Sequence, residues 1–468
     1  MENIIWRDEI IKKIIDSWLE KGAEYVECRV EAREATSIRI IDGKVKTLSS
    51  GILAGMGIRV LMNGQFLFIS YSADELSKRF VEDNIAKSYW MEKVELAPVE
   101  PAVAKVKVMP KVPFNDLSNE DKAKLALREN ERCKGEYVKT VSTLYRDEIL
   151  EKRIITSEGT DVYMQIPYVY IGHSVTAVVN GKRNESRMRQ GGIGGLELLS
   201  EEKLVEIAEM GKERAVKGAL AKAVKPGRYR VLLDGDLNHL FAHEAVGHAS
   251  EADSVKVGSL LKGKLGKKIA SKIVDLVDDG RFEINGVKGF GWIPYDDEGV
   301  KTGRTLIIEA GILRNYLNDR ATAKFFGLKP TGNARAQDFQ NPPVVRMRNT
   351  FIAPSREAQP LSNEELLELL KNGLLLKAGR GGQVDPIRGT FTFGVQEAYI
   401  VENGEIKERL GSTSISGNFL AVLKSIVAIG MEFDEPGYSL GFCGKAMQSV
   451  PVGVSGVWLL VENLTVGG

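Results

Sequence analysis

Apolar residues Ile10, Ile11, Ile14, Ile15, Trp18 and Leu19 recur at the spacing of one helical face, which predicts an opening helix that packs on a sheet. Val26, Cys28 and Val30 then alternate with Glu27, Arg29 and Glu31, the two-residue period of a strand with one apolar and one solvated face. Asp42-Gly43 and Asn63-Gly64 lie between apolar runs and can supply the left-handed backbone of tight hairpin turns, so an antiparallel meander follows. Ser72 with Glu75 three positions later has the signature of a capping box, opening a helix that runs to about Tyr89.

Prolines interrupt "APVEPAVAKVKVMPKVPFND", which reads as an internal loop. A helical stretch over 118–132, strand alternation over 136–180 with an Asn180-Gly181 turn, and a charged helix over 200–217 complete the first half. From "RYRVLLDGD" onward, short apolar runs alternate with glycine-rich turns such as "GRGGQVDPIRGTFTFG" and "SVPVGVSG". That change of texture predicts an α+β fold in two domains: a helix-plus-antiparallel-sheet domain over 1–219 and a mixed, β-rich domain over 220–468. No internal repeat or low-complexity tract stands out.

The length of 468 residues calls for more than one core, and 43% hydrophobic with 27% charged residues is the profile of a chain folded throughout. With 64 basic against 63 acidic side chains there is no global attraction to phosphate backbones or acidic membranes. Cys28, Cys133 and Cys443 lie far apart without a C-x-x-C pair, which argues against a disulfide scaffold and for a reducing compartment, so a cytoplasmic location is expected. No run is long and uncharged enough to span a bilayer, and "MENIIWRDEIIKKIIDSWLEKG" mixes acids among its apolar residues.

Candidate chemistry concentrates in "FAHEAVGHASEAD", where His243 and Glu244 precede His248. In the common H-E-x-x-H arrangement the two imidazoles are about 40° apart around a helix and face one ion. One more residue opens that angle to about 140° on a regular helix. A π-bulge would absorb the extra residue, and Gly247 would make such a distortion cheaper. Alternatively the helix ends near Gly247 and His248 returns from a turn. His239 and His243, four apart, form a rival pair that needs no distortion, and His173 in "YVYIGHSV" reads as a structural histidine. Hydrolytic zinc sites use three protein ligands and keep the fourth position for water, so a third ligand is needed; Glu251, Asp253 and Cys443 are the candidates.

The segments "HEAVGHASEAD", "DDEGVKTGRTLIIEAGILRNYLNDRATA", "GGQVDPIRGTFTFGVQEAYIVENGEI" and the "GFCGK" to "PVGVSG" tail resemble, in order, those of the TldD/PmbA family of metallopeptidases, also known as proposed modulators of DNA gyrase. The resemblance is to the TldD type, extends over essentially the whole chain and is weaker in its first half. It implies that His243, His248 and Cys443 hold the ion, with zinc as the default and ferrous iron as the other option, and that Glu244 is the catalytic acid/base. His239 falls outside the motif. Glu251 and Asp253 are expected to orient an imidazole. The resemblance further implies unstructured peptides as substrate and a dimer, either of two copies or with a PmbA/TldE-like chain.

Two readings compete with a peptidase. One is a non-catalytic regulatory protein in which the metal is structural. The other is nucleic-acid binding through "KVGSLLKGKLGKKIASKIVD", which is disfavoured because no arginine or aromatic residue interleaves its lysines; a solvated mobile loop is expected there instead.

Overall fold

The computed structural model describes residues 8–78, 92–434 and 440–467. Its first half is built on one seven-stranded sheet. A helix over Asp8–Glu20 leads into β1 (Tyr25–Ile41), β2 (Lys44–Met62) and β3 (Gln65–Ser72), followed by β4 (Val103–Lys107), β5 (Val138–Thr156), β6 (Asp161–Val179) and β7 (Lys182–Ile193). The strand order is β3-β2-β1-β5-β6-β4, with β7 also on β6. All neighbours are antiparallel except β4, which runs parallel to β6. The proline-rich segment is therefore only partly loop, since Val103–Lys107 adds a strand to the sheet.

The hairpin turns form where the Asx-Gly pairs predict them. Asp42, Asn63 and Asn180 have φ of 51°, 53° and 51°, and the following glycines are left-handed too. Ser72 and Glu75 make the reciprocal bonds of a capping box, Ser72 N–H to Glu75 Oε2 at 2.7 Å and Glu75 N–H to Ser72 Oγ at 3.4 Å, opening a helix over Ala73–Lys78. Its predicted run to Tyr89 falls outside the described residues.

One face of the sheet is apolar and covered by helices. Ile11, Ile14, Ile15 and Trp18 of the first helix pack on Val26, Cys28, Val30, Met56, Ile58 and Val60, while Leu19 stays largely exposed. Helices over Asn119–Arg132 and Glu201–Leu220 cover the other end, through Ala126, Leu204 and Ile207 against Ile38, Tyr145 and Ile171.

The opposite face departs from expectation. Glu27, Arg29 and Glu31 are fully buried rather than solvated, because this face packs against the second half of the chain. Charged side chains inside a protein require partners, and here the partners cross between the halves. Arg59 lies 2.7 Å from both Glu27 and Glu298, and Lys152 lies 2.5 Å from Asp297 and 3.3 Å from Glu31. Two-residue alternation thus reports two faces of different chemistry, while burial of the charged one depends on residues more than 100 positions away.

The second half starts with a strand over Gly227–Leu233. A second seven-stranded sheet runs in the order 373–385, 227–233, 457–466, 413–418, 390–402, 405–410, with 426–433 also on 457–466. An additional pairing of 373–385 with 390–402 closes five of these strands into a ring. A four-stranded sheet (312–313, 304–309, 274–279, 350–354) and a two-stranded hairpin (441–445 with 448–452) complete the β structure that bears on the site. The mixed α+β architecture predicted from patterning is what the chain adopts. The lysine-rich stretch after residue 255 is anchored by Leu261, Ile269 and Ala270, all buried in the main core. No helix among the described residues is long and apolar enough to cross a membrane.

Candidate metal centre

A continuous helix runs from Gly235 to Ser250 through the core of the second half. Asp234 caps its start by accepting the Leu237 N–H at 2.9 Å. Asn238 fixes its position: the fully buried amide donates to Ile352 O at 2.9 Å and Val457 O at 2.8 Å, and accepts the Ile352 N–H at 2.9 Å. One side chain thereby joins the helix to the edge strand 350–354 of the four-stranded sheet and to the interior strand 457–466 of the seven-stranded sheet. Ala242, Ala245, Val246 and Ala249 are also completely buried, and their small size lets the surrounding strands approach.

Within this helix the segment Phe241–Gly247 is π-helical, and the His248 N–H donates to His243 O, a five-residue spacing in place of four. The wider turn absorbs the extra residue of H-E-x-x-x-H. His243 and His248 consequently meet on one side, with ring centroids 5.2 Å apart and planes at 83°. The chain does not end its helix near Gly247. Nor does Gly247 ease the distortion by conformational freedom: its φ of −58° and ψ of −56° are ordinary helical values. Glycine suits the position for a different reason: a Cβ there would lie 2.0 Å from Met347 Sδ, so that side chain would have to shift.

The third group arrives from the far end of the chain. Cys443 sits in the hairpin strand Gly441–Lys445, and its Sγ is 3.4 Å from His248 Nε2. Ligand atoms of His243, His248 and Cys443 all lie within 4.8 Å of one another. Tetrahedral zinc bonded to two imidazoles and a thiolate separates its donor atoms by about 3.3–3.8 Å, a spacing that small side-chain rotations can reach.

Local chemistry fits a cation. Neither ring nitrogen of buried His243 has a hydrogen-bond partner among the described residues, a costly arrangement for an imidazole unless it ligates something. Burial raises the pKa of the Cys443 thiol, but His243 and His248 outweigh it and bring the value down to about 4, so the sulfur is available as thiolate. His248 Nδ1 donates to Glu251 Oε2 at 3.0 Å, which fixes the tautomer and leaves Nε2 turned to the sulfur. Despite its burial, Glu251 is held ionised by Lys445 and His248, with a pKa of about 2.

Glu244 projects next to the group, Oε2 lying 3.8 Å from His248 Nε2, and remains partly exposed. The other histidines take no part. His239 Nδ1 donates to Thr350 O at 2.9 Å, and burial together with nearby His243 pushes its pKa down to about 4. His173 bonds Thr143 Oγ1 at 2.9 Å in the first sheet, where burial also lowers it to about 4. Of the two carboxylates expected to orient an imidazole, Glu251 does so, whereas Asp253 binds Lys445 instead, at 2.7 Å.

Three residues of the site escape sequence reasoning. Asn238, Lys445 and Arg346, whose guanidinium donates to the Cys443 carbonyl, are all buried or nearly so by long-range packing. Only Lys445 carried a local signal, being two residues from Cys443 and hence on the same face of any strand there.

Comparison with known proteins adds to this geometry. The chain matches the family descriptions PmbA/TldA metallopeptidase domain 1 over 26–88, central domain over 112–219 and C-terminal domain over 226–468. It is 36% identical to a metalloprotease of Methanocaldococcus jannaschii, over 94% of this chain and 96% of that one. It is 31% identical to a protein of Saccharolobus solfataricus named a zinc metalloprotease TldD homolog, over 97% of this chain and 99% of that one. A crystal structure from Thermotoga maritima, described as that of a proposed modulator of a DNA gyrase, superposes with a TM-score of 0.78 at 25% identity, covering 98% of this chain and 100% of that one.

Proposed function

Because this chain belongs to the PmbA/TldD family of metallopeptidases, we propose that it hydrolyses unstructured peptides at a metal held by His243, His248 and Cys443, with Glu244 as general acid/base. The observation that carries this reading is the convergence of two imidazoles and a thiol beside a partly exposed carboxylate. Zinc is the default ion, in keeping with the Saccharolobus relative's name, and ferrous iron suits the same donor set. Bound there, either ion would supply Lewis acidity toward water and toward the scissile carbonyl.

The protein's own groups have separable tasks. Glu251 holds His248 in one tautomer. Glu244 accepts the proton of the attacking water and delivers it to the departing amine nitrogen, as a carboxylate within reach of both can. An extended peptide could borrow a free strand edge for its backbone hydrogen bonds. The glycine-rich strand Gly373–Asp385 offers one: its pairing with 227–233 covers only Leu374–Leu376, so the Gly379–Asp385 half has a single neighbouring strand among the described residues. That half lies against the start of the metal-bearing helix, the Gly379 N–H donating to Asp236 at 2.6 Å. We assign the working form to a dimer, of two copies or with a PmbA/TldE-like chain, and the location to the cytoplasm, consistent with three free cysteines.

The test is Glu244→Gln. The variant should retain stoichiometric metal while losing cleavage of an unstructured peptide library read by mass spectrometry, and chelator should abolish wild-type cleavage. A metal-loaded, active variant removes Glu244 from the mechanism. Metal retention without turnover in the wild type would favour the regulatory reading.

A further inference from the structure

The cysteine and the histidines come from parts of the fold with no sheet hydrogen bonds between them. Among the described residues, the strand carrying Cys443 pairs only with Gln448–Val452, forming a two-stranded hairpin that belongs to neither large sheet. Several bonds tie this hairpin to the segment over 335–348: Arg346 to Cys443 O, Arg335 to Pro451 O at 2.9 Å, and Gln448 to Pro342 O at 2.9 Å. A different contact is needed to set the hairpin relative to the helix that holds His248.

Lys445 makes that contact. It lies two residues beyond Cys443, on the same face of the strand, with Cys443 opposite Val450 and Lys445 opposite Gln448. Its Nζ donates to Glu251 Oε2 at 3.0 Å, to Asp253 at 2.7 Å and to Val345 O at 3.0 Å, so all three ammonium hydrogens are used. Glu251 Oε2 is the same atom that accepts His248 Nδ1–H. One oxygen therefore receives both the imidazole from the helix and the ammonium from the strand, while the thiol two residues away meets the far nitrogen of that imidazole.

We infer that Lys445 is a positioning residue, clasping the Cys443 strand to the end of the His248 helix so that sulfur and imidazole nitrogen face a common point. The inference rests on the metal-centre reading above and extends it to a residue that touches no ligand atom itself. It has an electrostatic side as well. Glu251, Asp253 and the Cys443 thiolate crowd one small volume, and Lys445 provides the cation that lets the two carboxylates lie together. Loss of the clasp frees the hairpin to shift and weakens the third ligand selectively.

Cobalt(II) is the probe, added to full-length chelator-stripped protein. Thiolate-to-cobalt absorption in the near ultraviolet reports Cys443, and the visible d–d bands report coordination geometry. Lys445→Met should bind Co2+ about 10- to 100-fold more weakly, as expected when a group supporting a ligand is removed, and should show a diminished thiolate band with an unchanged far-ultraviolet circular dichroism spectrum. Lys445→Arg, which keeps the cation and its donors, should restore most of both. A purely structural ion pair would lower the melting temperature without moving the band. Should Lys445→Met fail to fold, Asp253→Ala removes one leg of the clasp and should produce a smaller loss in affinity and band intensity. Wild-type affinity and an unaltered band in whichever variant folds overturn the inference. The metal-centre reading fails separately if wild type shows no thiolate band and Cys443→Ser binds Co2+ equally well.

Discussion

Replacing Gly247 with alanine sets two effects of opposite sign against each other. At an unhindered helical position alanine is favoured over glycine by about 1 kcal/mol, and Gly247 has helical dihedral angles. A methyl group there, however, would be 2.0 Å from Met347 Sδ and 3.2 Å from Ala242 O. Ordinary carbon contacts lie near about 3.5–4 Å, so the methionine must move by well over an ångström. Met347 is completely buried, and its carbonyl is held by Arg335 at 2.6 Å. The displacement must come from a strained rotamer in a filled core, an overpacking cost of about 1–3 kcal/mol. Up to about 2 kcal/mol of net destabilisation is therefore expected. The assay is urea denaturation of Gly247→Ala, Met347→Ala and the double variant, closed as a thermodynamic cycle. Met347→Ala alone should cost about 2–5 kcal/mol, and in its background the alanine at 247 should become neutral or stabilising, because it enters space the methionine has left. Two results refute the argument. One is a stabilised single variant, which means that the site accommodates a Cβ. The other is an unchanged cost in the double variant, which returns the glycine requirement to the π-helical backbone.

Further outcomes follow from buried charge. His173 protonates near pH 4 when folded but near 6.5 when unfolded, so between these values the unfolded chain binds more protons. The stability His173 contributes is complete above about pH 6.5 and is lost as pH falls toward 4; the interval corresponds to about 3 kcal/mol. His173→Asn should flatten the stability profile across that window in urea titrations at successive pH values, and an unaltered slope contradicts the burial argument. Arg59→Met should destabilise by about 3–5 kcal/mol, because Glu298 loses its buried cation and Glu27 one of two. Adding Glu298→Gln should recover part of that loss, and a cost below about 1 kcal/mol for the single variant would show that solvent reaches the joint between the halves.

Much of the architecture could be read from local chemistry. Asx-Gly turns at 42, 63 and 180, the Ser72–Glu75 cap and the apolar stripe of the first helix depend on neighbouring residues alone, and each forms as patterned except that Leu19 of the stripe stays exposed. The H-E-x-x-x-H spacing was equally plain, and it posed the geometric problem that a π-helix solves. What local pattern cannot carry is the destination of a side chain. Glu27 and Arg29 alternate like solvent-facing residues, yet Arg59 and Asp297 make their burial possible. Gly247 looks permissive, but Met347, 100 positions later, is what crowds a Cβ there. Cys443 acquires its meaning only when packing sets a separate hairpin beside His248, and Lys445 only when Glu251 lies opposite. Hydrogen-bond geometry along a turn is written in consecutive residues. Desolvation, close contact and electrostatic pairing depend on which distant atoms arrive, and the three-dimensional fold decides that.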